Sequence, residues 1–277
     1  MTDRTRRHLE AILSDVLPTL KDGEPVVVGA AALTLGGEAL DVVTMDVDLA
    51  VALDMERIVA ALEGTAWSRE PRLEHRWSRP MMGPTTGSSS PLRGLLDIVP
   101  TTPSLLRAGR ILWPESGAEM TLAGMEAARS CARQVTLSDG SRVKLAAPGA
   151  IMMLKLIALD EAGMARSKDL DHVCVLLERY QRDSERCFTP DLLELELPYP
   201  LVPAWLLGRD VGAIAHGDDR ARVLRGLEWL MIPDSSQLLL AARRGPASWN
   251  RRPEPLLDRL AAFAAGLGAA EPAEGAP

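Results

Sequence analysis

Residues 42–53 read VVTMDVDLAVAL, and the part that decides the fold is the alternation of polar and apolar side chains through TMDVDLAVAL. Successive side chains of a strand point to opposite faces, so this is the period of a half-buried β-strand. Asp46 and Asp48 then share a face, about 6.5 to 7 Å apart along the chain at a rise of ~3.3 Å per residue. Two carboxylates so placed offer the hard oxygen donors that Mg²⁺ takes. A solvated strand face is the other reading of the same pair.

Just upstream, VVVGAAALTLGG (26–37) reads as strand, tight turn at Gly29, small-residue helix and a second turn at Gly36-Gly37. Further back, Leu9, Ile12, Leu13 and Val16 recur at helical spacing, predicting a helix over 6–17 that Pro18 ends or kinks. Downstream, Asp54 is placed to cap a helix over MERIVAALE, and a further strand is expected near 74–77. The segment MMGPTTGSSS (81–90) has the composition of a surface loop. A strand over 92–99 follows, with Asp97 inside the apolar run LLDIVP. An ionised acid there is costly to bury unless a partner or a cation compensates it, which makes Asp97 the natural third carboxylate. Thr102-Pro103 looks like a helix cap with proline at the first helical position, and 135–145 like a hairpin across Ser138-Asp139-Gly140.

From Ala147 the pattern turns helical, over roughly 148–162, 168–181, 219–231 and 254–266, with a Pro-rich passage at 198–203. The expected class is α/β (α+β), a small mixed sheet flanked by helices and joined to a mainly helical C-terminal part. Boundaries are expected at 1–146, 147–268 and a disordered tail over 269–277, with the active cleft between the first two parts.

Composition narrows the function. The 277 residues are 47% hydrophobic and 25% charged, the proportions of a globular protein. Cys131, Cys174 and Cys187 are odd in number and lack CxxC spacing, so neither a disulfide framework nor structural zinc is indicated. The charged N-terminus has no signal-peptide core, and apolar runs such as IMMLKLIAL fall far short of the ~20 residues of a membrane span. A soluble, cytoplasmic protein is the expectation. A net charge of −7 disfavours a broad nucleic-acid face, leaving only a local patch. Neither GxSxG nor GxxxxGK[ST] occurs.

The order VVVGAAALTLGG, TMDVDLAV, LLDIVP resembles the nucleotidyltransferase motif of the polymerase-beta superfamily. MMLKLIALDE (152–161) followed by RSKDLDHVCVLLERY (166–180) resembles the helical signature of its AbiEii-like toxin branch. The likeness spans roughly residues 25–180. It implies Asp46, Asp48 and Asp97 as ligands of two Mg²⁺ ions, nucleotide contacts from Gly29, Ala30, Thr44, Lys155 and Asp169, and a catalytic part for Lys155. It also implies an NTP substrate, a tRNA end or a protein as acceptor, and an antitoxin partner. An antibiotic-like small-molecule acceptor and a noncatalytic binding module are the alternatives. The chain departs from the pattern at Ala30, where a second Gly or a Ser is common, at Val42, where an Arg is common, and at His172, where an acid is common.

Two readings stand beside the implied roles. Lys155 lies among apolar residues and would equally snorkel from a core helix, and Asp169 would equally serve its helix dipole after a Ser167 cap. RRGPASWNRR (243–252) sets four arginines around Trp249, a surface for RNA phosphates and bases or simply a solvated loop.

Overall fold

The apolar stripe of the first helix is what the sheet folds against. In a computed structural model, which describes residues 3–37, 44–81, 92–182 and 184–270, α1 (Asp3–Leu20) buries Leu9, Ile12, Leu13 and Val16 completely. The helix continues past Pro18 to Leu20, so of the expected end or kink the end is not observed. Only two residues of the helix follow the proline, so little of it depends on the hydrogen bond that Pro18 lacks, and the stripe from Leu9 to Val16 is buried ahead of it. The chain divides into two compact units, Met1–Ala147 and Pro148–Pro277.

In the first unit β1 (Val26–Val28) leads into α2 (Gly29–Leu35), then β2 (Asp46–Val51), α3 (Met55–Leu62), β3 (Ser68–Glu70), β4 (Leu73–Met81) and β5 (Leu92–Pro100). Next come α4 (Pro103–Ala108), a hairpin of β6 (Arg110–Leu112) and β7 (Glu119–Thr121), α5 (Met125–Ser130), and a hairpin of β8 (Arg133–Thr136) and β9 (Arg142–Leu145). Seven strands form one mixed sheet in the order β3-β4-β5-β2-β1-β9-β8, with β2 parallel to β5 and β1 parallel to β9. The α/β class expected from the sequence is the class observed.

Local signals hold where they were legible. The Asp54 carboxylate accepts from the Arg57 amide at 2.9 Å, and the Thr102 hydroxyl from the Leu105 amide at 3.3 Å. Strand β4 is longer than 74–77 and carries Met81 at its end, while the rest of the expected loop, 82–90, lies outside the described residues. So do Val42 and the end of the tail, 271–277. The β6–β7 hairpin went unread because three-residue strands are too short to show alternation. It covers a small separate core of Val99, Ile111, Trp113 and Leu122.

The two sheet faces divide the labour. Val47, Leu49 and Val51 of β2 are fully buried, and on β5 a Cβ at Gly94 would come 3.3 Å from Ile12, so the face of Gly94, Leu96 and Ile98 is the one toward α1. Asp46, Asp48 and Asp97 occupy the opposite face by the two-residue period.

The second unit is helical: α6 (Pro148–Ala162), α7 (Leu170–Arg179), α8 (Pro190–Glu194), α9 (Val202–Ile214), α10 (Gly217–Met231), α11 (Ser236–Arg244) and α12 (Glu254–Ala269). The passage expected only as Pro-rich opens α9, and Pro203 sits in its first turn, where no intrahelical N–H is needed. Helices α9 and α12 cross backbone to backbone: a Cβ at Gly208 would strike the Phe263 carbonyl, and one at Gly266 the Trp205 carbonyl.

Candidate active site

Backbone pairing draws one line of functional groups across the sheet. Val28 of β1 stands opposite Asp48 of β2, Asp48 opposite Asp97 of β5, and Asp97 opposite Arg76 of β4. Adjacent strands lie ~4.8 Å apart, so Asp48, Asp97 and Arg76 project side by side, with Asp46 two residues before Asp48 on the same face. The cation that Asp97 needs is therefore Arg76. Arg76 donates from Nε to one Asp97 oxygen at 2.7 Å and from Nη2 to the other at 2.6 Å, a bidentate fork. The same Nη2 lies 3.9 Å from the Asp46 carboxylate.

The electrostatics follow from this packing. Asp97 is 8% exposed, whereas 33% of the Asp46 side chain and 28% of the Arg76 side chain remain open. The Arg76 guanidinium is held charged well beyond its ordinary range, first by its hydrogen bonds to Asp97, against the opposing effect of burial, and then by the charges of Asp97, Asp46 and Asp48. Beside it, His75 packs its ring on Trp113 with centroids 5.4 Å apart. Burial pushes the His75 pKa down and Arg76 adds to this, while Asp97 and Glu74 oppose it; the net shift is downward. At neutral pH His75 is therefore uncharged.

The remaining expected residues fall into two groups. Thr44 donates its hydroxyl to an Asp46 carboxylate oxygen and so fixes that side chain. Gly29 has φ +67°, and a Cβ there would collide with the Asp48 carboxylate, so glycine is needed for β1 to turn close beside it. Ala30 follows in the first turn of α2. His8 of α1, assigned no role from the sequence, lies 3.3 Å from the Met45 carbonyl and ties the helix to the residue before Asp46.

Lys155 and Asp169 belong to the second unit. Both are buried, at 7% and 4% exposure, and they pair at 2.8 Å, with Arg166 on the other Asp169 oxygen at 2.8 Å. Burial works to raise the Asp169 pKa, but Lys155 and Arg166 outweigh it and leave the net value below the ordinary carboxylate range. Of the two readings of Lys155, snorkelling is not observed, because its ammonium stays inside against Asp169. Nor is Ser167 a helix cap, since a 3₁₀ turn over Gly163–Asp169 runs directly into α7.

The basic run at 243–252 needs correction. Trp249 is 2% exposed and donates its indole N–H to Glu178 at 3.0 Å, and Arg259 stacks on its ring. A core tryptophan offers no stacking surface to RNA. Arg244 is engaged by Asp171, at 3.2 Å.

Comparison with known proteins adds little to this geometry. No protein-family model and no curated protein matches the chain. A crystal structure of a "putative nucleotidyltransferase from H. pylori" is similar at 16% identity and a TM-score of 0.29, over 78% of this chain and 100% of that one. A likeness so distant carries no conclusion about activity.

The donor set of the row suits a hard divalent cation: three carboxylates on one sheet face, one of them oriented by a hydroxyl. As arranged, they do not converge. Among the described residues no three His, Cys, Asp or Glu side chains come together closely enough to hold a metal ion, and both Asp97 oxygens are given to Arg76. Among the same residues no helix is long and apolar enough to cross a membrane.

Proposed function

We propose that the chain is a metal-dependent nucleotidyltransferase that moves a nucleotidyl group from an NTP to an acceptor hydroxyl. The observation that carries this reading is the row itself, with Asp48 and Asp97 opposite each other on parallel strands and Asp46 on the same face. Asp46, Asp48 and Asp97 would hold one or two Mg²⁺ ions, which when bound would offset the charge of the triphosphate and of the leaving group. Thr44 keeps the Asp46 carboxylate turned for that use, and Gly29 lets the backbone lie close to Asp48.

In this reading Asp97 would align the acceptor hydroxyl and take its proton. The acceptor oxygen then bonds to the α-phosphorus, the bond to the bridging oxygen breaks, and pyrophosphate leaves with that electron pair. Acceptors consistent with the resemblance are a tRNA end, a protein side chain in the manner of a toxin held by an antitoxin, or a small molecule such as an antibiotic. Burial of Trp249 removes the stacking platform that had favoured RNA. For Lys155 and Asp169, the buried 2.8 Å pair favours a structural role over nucleotide contact.

A second reading, a noncatalytic module on the same fold, is favoured by the full engagement of Asp97 by Arg76. The two readings part in one experiment: the protein is incubated with each α-labelled NTP, Mg²⁺ and a cell lysate, and RNA, protein and small-molecule fractions are examined for label. Transfer that disappears in Asp48→Asn supports the enzyme. Absence of label in every fraction, with no calorimetric binding of Mg²⁺ or NTP, supports the module.

A further inference from the structure

In the helical unit the stretch FTPDLLELELPY (188–199) brings apolar and acidic side chains to the surface together. Phe188 and Tyr199 stack with ring centroids 5.7 Å apart, and the Tyr199 hydroxyl donates to the Arg182 carbonyl at 2.6 Å, so an open pair of rings is held in place. Of Phe188, Leu193, Leu195 and Tyr199, between 40% and 65% of each residue is exposed. At ~200 Å² for a large side chain this amounts to roughly 400 Å² of apolar surface, a size that on a single protein is often functional. With the ~57% apolar share of a protein interface it corresponds to roughly 700 Å² on this side, close to the ~800 Å² per partner of a standard contact.

Charge identifies the occupant. Glu185, Glu194 and Glu196 are exposed and form no ion pair among the described residues, whereas Arg182, Arg186 and Arg209 are taken by Glu178, Asp210 and Asp191. The same unit carries the opposite surplus, since Arg243, Arg251 and Arg252 are exposed and likewise form no ion pair among the described residues. At both places the backbone is held in the left-handed region that non-glycine residues rarely adopt, with φ +50° at Glu196, +51° at Asn250 and +60° at Arg251. A guanidinium both pairs with carboxylates and stacks on aromatic faces, as Arg209 does over the Trp205 ring at 5.0 Å. We propose that the 185–199 surface of one copy of the chain receives the arginine run 243–252 of a second copy. Arg243, Arg251 and Arg252 meet Glu185, Glu194 and Glu196 and stack on the Phe188 and Tyr199 rings. The net charge of −7 makes copies repel at a distance, so the attraction is local and weakens in salt. The contact needs neither nucleotide nor acceptor, and it stands apart from the transferase reading.

The test is sedimentation equilibrium of the full chain up to about 200 µM, beyond the micromolar constants at the weak end for interfaces of standard size. The wild type is expected to rise above monomer mass with concentration, and to rise less in 1 M NaCl. A wild type that keeps monomer mass throughout overturns the proposal. The double variants Glu194→Arg/Glu196→Arg and Arg251→Glu/Arg252→Glu should each associate at least about tenfold more weakly, since like charges then meet. Their equimolar mixture should associate within about threefold of the wild type, because every reversed patch finds its complement. Association of either double variant at wild-type strength overturns the proposal, and so does a mixture that stays monomeric while both variants melt as the wild type does. Should a double variant melt lower than the wild type, Glu194→Gln/Glu196→Gln and Arg251→Gln/Arg252→Gln decide: association at least about threefold weaker in each supports the contact, and unchanged association overturns it.

Discussion

Asp97 in the sheet unit and Asp169 in the helical unit are both buried aspartates held by cations, and they are held in different ways. Asp97 is gripped by one arginine that is itself partly open, in a row with two further carboxylates. Asp169 is closed between Lys155 and Arg166, and its main partner is nearly as buried as it is. In the first case the pair joins neighbouring strands of one sheet, and in the second it locks two helical segments together. Asp97 thus shares one partner with a neighbouring carboxylate, whereas Asp169 has two cations to itself.

The largest effect that would break this contrast is on transfer. Asp46→Asn or Asp48→Asn is expected to lower labelled-product formation by at least about 100-fold, since the amide keeps the shape but loses the charge a divalent ion requires. The melting temperature should hold or rise, because a like charge leaves the row. Wild-type transfer in both variants would return these residues to a solvated strand face.

Next in size is the lock. Lys155→Met leaves Asp169 buried with only Arg166 and should cost about 3–5 kcal/mol in denaturant unfolding, with NTP affinity per folded molecule unchanged. Lost affinity at full stability would move Lys155 into the nucleotide site. The same pair has a pH signature: the folded Asp169 pKa is below its ordinary value. Its contribution is therefore fully present above the unfolded value of ~3.9 and is lost as pH falls through the lower folded value. Asp169→Asn should be less stable at neutral pH and should flatten the acid limb of the stability curve below about pH 4. An acid limb parallel to wild type would place the protonation elsewhere.

A smaller loss is expected from Trp249→Phe, about 1–3 kcal/mol, as the Glu178 carboxylate loses one of its donors. RNA affinity should stay the same, and a drop at unchanged stability would restore a binding role for this tryptophan. The smallest effect belongs to replacing Arg243, Arg251 and Arg252 with Gln. Stability should stay within about 0.5 kcal/mol, and a flatter salt dependence of RNA binding would appear only if these arginines meet phosphate.

Strand β2 was legible because alternation is a local property, and so were the Asp54 and Thr102 caps and the turn at Ser138-Asp139-Gly140. Asp97 was legible as an anomaly, a charge in an apolar run, but the run itself does not say what compensates it. A signal for Arg76 did exist, since LEHRWSRP places it in a strand just before the one that carries Asp97. The register had to be known before that strand's Arg76 could be preferred to Arg79, which pairs with Asp15 instead. Trp249 was misread because arginines beside it in sequence suggested a surface, while its partner Glu178 lies 71 residues away.

By itself the sequence determined the mixed α/β class, the strand bearing Asp46 and Asp48, and the need for compensation at Asp97, all of which follow from periodicity, turn chemistry and the cost of burying charge. Only the tertiary structure decided which cation answers each acid. It set Arg76 on Asp97 through strand register and Lys155 on Asp169 through helix packing, because a partner distant along the chain is fixed by backbone pairing and burial rather than by its neighbours in sequence.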